Sequence, residues 1–523
     1  QRPRVARERR IGPRVVRMIG VSIPITLLQV ALPSAAQPAV IAVGVLYFAV
    51  VVAISVWAAR RTRTASDFFV AGKGIGLIAL TVASVSVSVS GFAFIGGPGF
   101  IYAVGLGAMY IVLPAAVTNV MGAWVLAKRM RLLGEARNLI TIPDAIGARY
   151  RSPAAQGLAA VAMLVGIVGY MATNALAMGV VINSIFGVGL GWGIWIGMGV
   201  TLAYSASGGI LAGIYNDVFQ GMLMAVASVL MFSFVLSYGG GLGTISHTIL
   251  AHDPTFLGPW GKLTPLAALS FFFVFSMGSL GQPQAVHKYY MLRDPLQLKW
   301  YPLLKTLGLV LVLLLYFSVG VGVKAFVLSG RLQPLASPDQ ATPSLLLNVT
   351  PIILAALVFS GVAAATMSAA NSFINIGAAI VTHDLPIAFG RRVKNELGWG
   401  RAITVLIGIA AAITAQRSGT TVAFLGIFGW GLFASTLVPA LAVGLNWQGA
   451  TRAGAMASIA TGLVVTLALE SAAYRKLFTF PAGVTASAVA MVASFLVFFL
   501  VSWLTRRTAP AALDPDVRLV MEL

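Results

Sequence analysis

Residues 84–99 read Ser84-Val85-Ser86-Val87-Ser88-Val89-Ser90-Gly91-Phe92-Ala93-Phe94-Ile95-Gly96-Gly97-Pro98-Gly99, an apolar segment with glycine and proline at its centre. A second interrupted segment stands in the other half of the chain: Phe275-Ser276-Met277-Gly278-Ser279-Leu280-Gly281-Gln282-Pro283. A helix inside a bilayer can be opened only where its freed N–H and C=O groups meet protein, water or an ion. Paired interruptions in corresponding segments therefore point to a transport site at the membrane midplane.

Composition agrees with a membrane setting. Of 523 residues, 59% are hydrophobic and 9% charged, against about a quarter charged in soluble domains. Stretches of about 20 apolar residues, each long enough to cross a bilayer, recur near 38–59, 77–103, 106–128, 154–186, 190–207, 216–238, 266–290, 301–327, 350–381, 401–416, 421–446, 453–472 and 483–505. They predict an all-α polytopic membrane protein with about 13 transmembrane helices and leave no room for a large soluble domain. The chain has no cysteine, so disulfides and Cys-type metal sites are excluded.

The net charge of +21 is a topology signal rather than a nucleic-acid footprint. Alternate loops collect Arg60, Arg61, Arg63 and Lys73; Lys128, Arg129, Arg131, Arg137, Arg149 and Arg151; Lys288, Arg293 and Lys299; Arg391, Arg392, Lys394 and Arg401; and Arg452, Arg506 and Arg507. The opposite side holds little beyond Lys262, Lys324, Arg331, Arg417, Arg475 and Lys476. The positive-inside rule makes the first set cytoplasmic. It places the N-terminus outside and the C-terminus inside a bacterial-type inner membrane. Residues 1–37 are set apart: a basic stretch, an apolar run and Ser34-Ala35-Ala36 resemble a secretory signal peptide, and Met18 is an alternative start.

The remaining spans divide into segments 77–238 and 266–446, each opening with an interrupted helix and holding five spans. An odd number inverts the second half, giving an inverted repeat suited to alternating access. Residues 38–59 flank this core on one side, 453–505 supply two helices on the other, and 506–523 form a short cytoplasmic tail.

Chemistry has few carriers. Fourteen acidic residues exist, and on these spans none reaches mid-membrane; Asp217 and Glu470 come nearest, at span ends. A carboxylate proton relay is thereby disfavoured. Sodium needs only backbone carbonyls and hydroxyls. Ser84, Ser86, Ser88 and Ser90 lie in the first interrupted segment, and Ser360, Thr366, Ser368, Asn371 and Ser372 in the ninth span. Ser368 and Ser372, four apart, share a helix face. A lone serine usually bonds back to its own helix; a hydroxyl-rich helix together with two broken ones favours an ion site. There is no phosphate-binding loop, the four histidines lack metal-ligand spacing, and no nucleophile–base set suggests an enzyme.

Several motifs resemble the sodium:solute symporter family, over roughly residues 40–505. Ser66-Asp67-Phe68-Phe69-Val70-Ala71-Gly72-Lys73 is similar to that family's entry to its first core helix. Ser90-Gly91-Phe92 through Gly99 and Tyr102 resembles its proline and pantothenate branches. Thr141-Ile142-Pro143-Asp144 with Arg149-Tyr150 is similar to a family loop. Tyr204 to Gly209 with Asn216-Asp217 and Gln220, Gly281-Gln282-Pro283 and Thr382-His383-Asp384 complete the set.

The resemblance implies a LeuT-like five-plus-five inverted-repeat core working as a secondary symporter of a small organic solute, such as an amino acid or carboxylate, functional as a monomer. It implies a sodium site from the carbonyls of Ser86, Val89 and Ala365 and the hydroxyl of Ser368. Ala369 stands where sodium-coupled members carry a second hydroxyl, with Thr366 or Ser372 as substitutes, so proton coupling or no coupling stays open beside Na+. It further implies a solute site from Ser88, Ser90, Gly91, Phe92, Phe275, Ser279 and Pro283. Ser88 and Ser279 depart from the proline carriers. A transporter-like membrane sensor is the remaining alternative.

Overall fold

The computed structural model describes residues 15–18, 21–24, 37–60, 74–391, 393–475, 477–478, 480, 483–507 and 513–522. Most of 1–37 and the whole 66–73 motif lie outside them. Within 1–37, Val15–Met18 and Val21–Pro24 pair as a short antiparallel hairpin.

Among the described residues, ten helices are long and apolar enough to cross a membrane. A pair bent by 43°, Pro265–Gly281 with Pro283–Met291, makes an eleventh span. Two shorter apolar helices, Leu77–Ser88 and Leu190–Ala203, stand beside these, and local chemistry shapes the segments that differ from the expected spans. Gly105 takes φ +78°, a left-handed conformation that costs glycine little, and starts a tight-turned stretch, Gly105–Ile111. Pro114 then precedes a new short helix, Ala115–Gly122. The expected span 106–128 is thus several pieces. Spans 190–207 and 216–238 fall on one 50-residue helix, Leu190–Gly239.

Apolar side chains point both ways. Leu46, Trp124, Ile353 and Leu496 are largely exposed, which in this setting is a lipid-facing surface rather than a defect. The helix Ile352–Ala379 runs at the centre, packed against Gln37–Ala59, Pro153–Phe186 and Leu190–Gly239. Its buried Ala363, Ala364, Ala365, Ala369 and Ala370 let the backbones approach closely, since lipid supplies no hydrophobic drive between helices.

One end of the bundle is tied by a polar network. Thr141 caps the helix Ile142–Tyr150 by accepting from the Asp144 N–H at 3.1 Å, and its hydroxyl donates to Asp384 Oδ1 at 2.8 Å. Gln156 Nε2 donates to Asp144 Oδ1 at 2.7 Å and to Asp384 Oδ1 at 2.9 Å, while His383 Nε2 lies 3.1 Å from Asp144 Oδ2. Burial raises the Asp144 carboxyl, but His383 and the Ile140 and Thr141 N–H groups outweigh it and hold it below its ordinary range. Arg149 Nε donates to Gly444 O at 2.6 Å, Tyr150 OH to Ala440 O at 2.8 Å and Tyr290 OH to Thr141 O at 2.9 Å. The C-terminal helix Pro515–Glu522 joins this end, since Arg137 pairs with Asp514 and Asp516, and Arg151 with Asp514 at 3.1 Å.

The other end carries Asp253, paired with Lys262 at 3.0 Å and Lys324 at 3.3 Å. It also carries Asp339, in the loop before the helix Ala341–Asn348. Asp339 Oδ2 accepts from the Val422 N–H at 3.0 Å, and its Oδ1 is buried with no partner among the described residues. Burial pushes this carboxyl up to about 7, only partly offset by the Val422 bond. An unfolded aspartate ionises near 3.9, so the native state loses stability as pH rises from about 4 to about 7. We expect the thermal midpoint in detergent to fall across that interval, and Asp339→Asn to flatten the fall. A slope unchanged in that variant would show that Asp339 is not its source.

Candidate functional site

The first interrupted helix ends at Ser88. Val89 takes an extended conformation, φ −102° and ψ 97°, which removes the last-turn carbonyls from the helical ladder. The chain re-enters helical geometry through a wide turn, Phe92–Gly96. The break is held by side chains rather than backbone. Asn174 Oδ1 accepts from the Gly91 N–H at 3.0 Å, Ser90 Oγ lies 2.9 Å from Tyr170 OH, and the Phe92 N–H donates to Ser90 Oγ at 3.3 Å. A Cβ on Gly91 would stand 2.5 Å from Ala177 Cβ and 2.7 Å from Thr366 Cγ2. Any larger residue would push the broken helix off both neighbours.

Facing the break, Ser86 Oγ donates to Ser368 Oγ at 2.8 Å, and Ser368 Oγ donates to Asp217 Oδ1 at 2.6 Å. Asp217 Oδ2 pairs with Lys288 Nζ at 2.9 Å. All four residues are buried. Two expectations are corrected here. Asp217 is not a span-end carboxylate: the unbroken helix Leu190–Gly239 carries it inside, against Ser368. The case against proton coupling from a missing buried carboxylate therefore falls. Lys288 is not a loop charge either, because the helical path through Pro283–Met291 turns it inward onto Asp217.

Ala365 and Ala369 are fully buried on the same helix as Ser368. The Thr366 hydroxyl bonds back to its own helix, at 3.1 Å from Val362 O and 2.9 Å from Ala363 O. Ser372 lines a separate small cavity with Asp217, Lys288, Asn371 and Asn375.

A larger cavity of about 90 Å³ adjoins the break. Of the residues expected around a solute, Ser88, Phe92, Phe275 and Ser279 line it, and Val89 of the expected ion set lines it too. Ser90 and Gly91 sit behind the wall on Tyr170 and Asn174, and Pro283 begins the short buried helix Pro283–Val286 without lining the cavity. One face is aromatic. Phe275 stacks on Trp430 with centroids 5.0 Å apart and on Phe92 at 6.0 Å. Sequence reasoning missed Tyr170, Asn174, Gln282, Trp430 and Lys305. Their only signal is polarity or size at single positions inside spans, which fixes no direction before the helices are packed. His383, scattered in sequence, meets Asp144 and Asp384 with donor atoms within 4.8 Å of one another.

The fold and this arrangement define a membrane transporter of the broken-helix type. The family model described as the sodium:solute symporter family matches residues 68–462, and the chain belongs to that family. It is a transporter, not an enzyme. The chain is 26% identical to the sodium/pantothenate symporter of Escherichia coli strain K12, over 82% of this chain and 89% of that protein. It is also 26% identical to the high-affinity proline transporter of Bacillus subtilis strain 168, over 88% and 97%. Among solved structures, a substrate-bound, outward-open Na⁺-coupled sialic acid symporter superposes with TM-score 0.74 at 17% identity, covering 90% of this chain and 98% of that one. A closed nucleobase-cation-symport-1 transporter gives 0.55 at 15% identity, over 88% and 99%. The fold is thereby the LeuT-like class that the sequence predicts.

Removing one partner of a buried ion pair strands the other charge, at about 3–5 kcal/mol. We expect Asp217→Ala and Lys288→Ala each to lower stability by that order, and the double substitution to cost clearly less than their sum. Additive losses in a double-mutant cycle would mean that the two do not interact.

Proposed function

We propose that this chain couples inward movement of a small organic solute to sodium, with the ion held at the break of the first core helix. The carbonyls of Ser86, Val89 and Ala365 and the hydroxyl of Ser368 are its ligands. Ala369 adds no side-chain oxygen, and Asp217, one hydrogen bond behind Ser368, holds that hydroxyl with its lone pairs free for the ion. The carrying observation is the meeting of Ser86 and Ser368 at 2.8 Å beside an opened helix end.

The solute occupies the adjoining cavity, against Ser88, Phe92, Phe275 and Ser279, with Ser90 and Gly91 fixing the shape of its wall and Pro283 that of the second break. Residues 77–238 and 266–446 act as inverted repeats that rock about this site, and one chain suffices. Their movement is driven by the sodium gradient and by about 2.3 kcal/mol per charge per 100 mV of membrane potential. The solute class is an amino acid or a carboxylate. The pantothenate and proline named for the relatives both bear a carboxylate, which supports that choice. The N-terminus lies outside and the C-terminus in the cytoplasm. The tail helix shares one face with Arg137 and Arg151, while Lys262 and Lys324 gather on another, in keeping with the charge asymmetry.

A ligand bound only by the native state raises stability by RT ln(1 + [L]/Kd), about 2.7 kcal/mol at a hundred times Kd. Purified protein is expected to gain stability in sodium over potassium or choline at matched ionic strength, and Ser368→Ala to abolish the gain. Equal stability in all three salts, at every pH tried, would count against a sodium site here.

A further inference from the structure

The sodium reading leaves one charged group of the cavity without a role. Lys305, in the helix Tyr301–Leu328, is 6% exposed and lines the cavity beside the break. Its Nζ lies 5.7 Å from the centroid of the Tyr301 ring, and among the described residues it makes no ion pair. The nearby cation, Lys288, is already matched by Asp217. No aspartate or glutamate lines the cavity.

An ammonium taken out of water costs several kcal/mol unless an opposite charge or a full set of acceptors meets it. A second cation close by raises that cost. Among the described residues the cavity answers with neutral groups alone, chiefly Ser88, Asn119, Ser279 and Gln282, and Phe275 and Trp430 add an aromatic wall. A space with a lone cation, an apolar wall and no carboxylate is complementary to an amphipathic anion. It is poorly suited to a zwitterion, whose own ammonium would find no acid and would be repelled by Lys305.

We propose that Lys305 Nζ is the anchor for the solute's carboxylate, and that the solute is a carboxylate with a neutral, partly apolar body and no amino group. This deepens the symport reading and rests on it. Binding is then ordered by charge: sodium at Ser368 and the anion at Lys305 each enter a cavity made more favourable by the other.

The test is thermal stability of the purified full chain with defined probes, first in sodium methanesulfonate and then with butyrate, lactate or pantothenate added. Butyramide, lactamide and pantothenol serve as their uncharged counterparts, L-proline as the zwitterion and sodium chloride as an inorganic anion. We expect at least one carboxylate to raise the midpoint while its neutral counterpart and proline do not. Lys305→Met is expected to erase that rise, to keep the sodium-dependent rise, and to be at least as stable as the parent without solute. Lys305→Arg should restore part of the carboxylate effect. A lysine needed only for structure would instead make the methionine variant less stable.

The proposal is overturned if proline or an amide stabilises as well as the carboxylates, if chloride alone gives the effect, or if the methionine variant keeps the carboxylate shift. It is equally overturned if no carboxylate acts while the sodium shift is intact, and the symport reading then stands. Loss of the sodium shift in the parent protein sinks that reading instead, whatever the carboxylates do.

Discussion

An opened helix in an apolar surround must answer for every backbone group it frees. At Val89 that constraint organises the centre of this molecule. The extended residue releases carbonyls on one side of the break; on the other, Asn174 and Ser90 hold the Gly91 and Phe92 N–H groups, and Tyr170 holds the Ser90 hydroxyl. Because the N–H side is satisfied by protein, what remains open is a set of acceptors. Acceptors without donors, beside a serine pair, are a cation's surroundings and not an anion's.

The buried carboxylate of Asp217 sharpens that bias and also limits it. Left alone it would be a costly buried charge; paired with Lys288 and bonded to Ser368 it is tolerated. The ammonium of Lys288 thus occupies, on a tether, the electrostatic position that a second mobile cation would want. A sodium ion at the proposed site would share Ser368 with this pair, linking ion arrival to the Asp217–Lys288 contact through one hydroxyl. Lys288 lies on the second broken segment, whose end is also tied to the loop at Thr141 through Tyr290 and to Arg131 through the Leu292 carbonyl. The ion site and that closed end of the bundle therefore share a moving part.

How much of this was legible beforehand follows from what each signal depends on. Glycine and proline at 91–99 and 278–283 report backbone conformation directly, and both breaks stand where those residues predict them. Ser86 and Ser368 stand out first as members of two hydroxyl-rich segments, and the resemblance then selects them from their neighbours. Hydropathy alone drew the expected span 106–128 as one piece, whereas Gly105 and Pro114 break a segment whose apolarity is continuous. Basic residues were read as loop markers, which served for Arg137 and Lys262 but misplaced Lys288, the buried partner of Asp217. The rule assumes that a lone charge near a span end faces water. Inside a bundle two opposite charges from separate helices remove each other's need for it, and that pairing is a tertiary fact.

The two lysines of the core show why charge identity decides less than partnership. Lys288 and Lys305 are equally buried in effect, at 4% and 6% exposure, and both lie near the transport path. One has a carboxylate at 2.9 Å and is part of the framework; the other faces a cavity without one. In water their difference would be slight, because solvent would screen both. In a low-dielectric interior an unmatched charge is a demand on whatever enters. A neutral carrier of this fold could place a leucine at 305 at no electrostatic cost. Keeping a cation there, in a cavity lined by aromatic rings and, among the described residues, by no acid, makes the empty cavity the less stable state and the loaded one the state toward which the site is built.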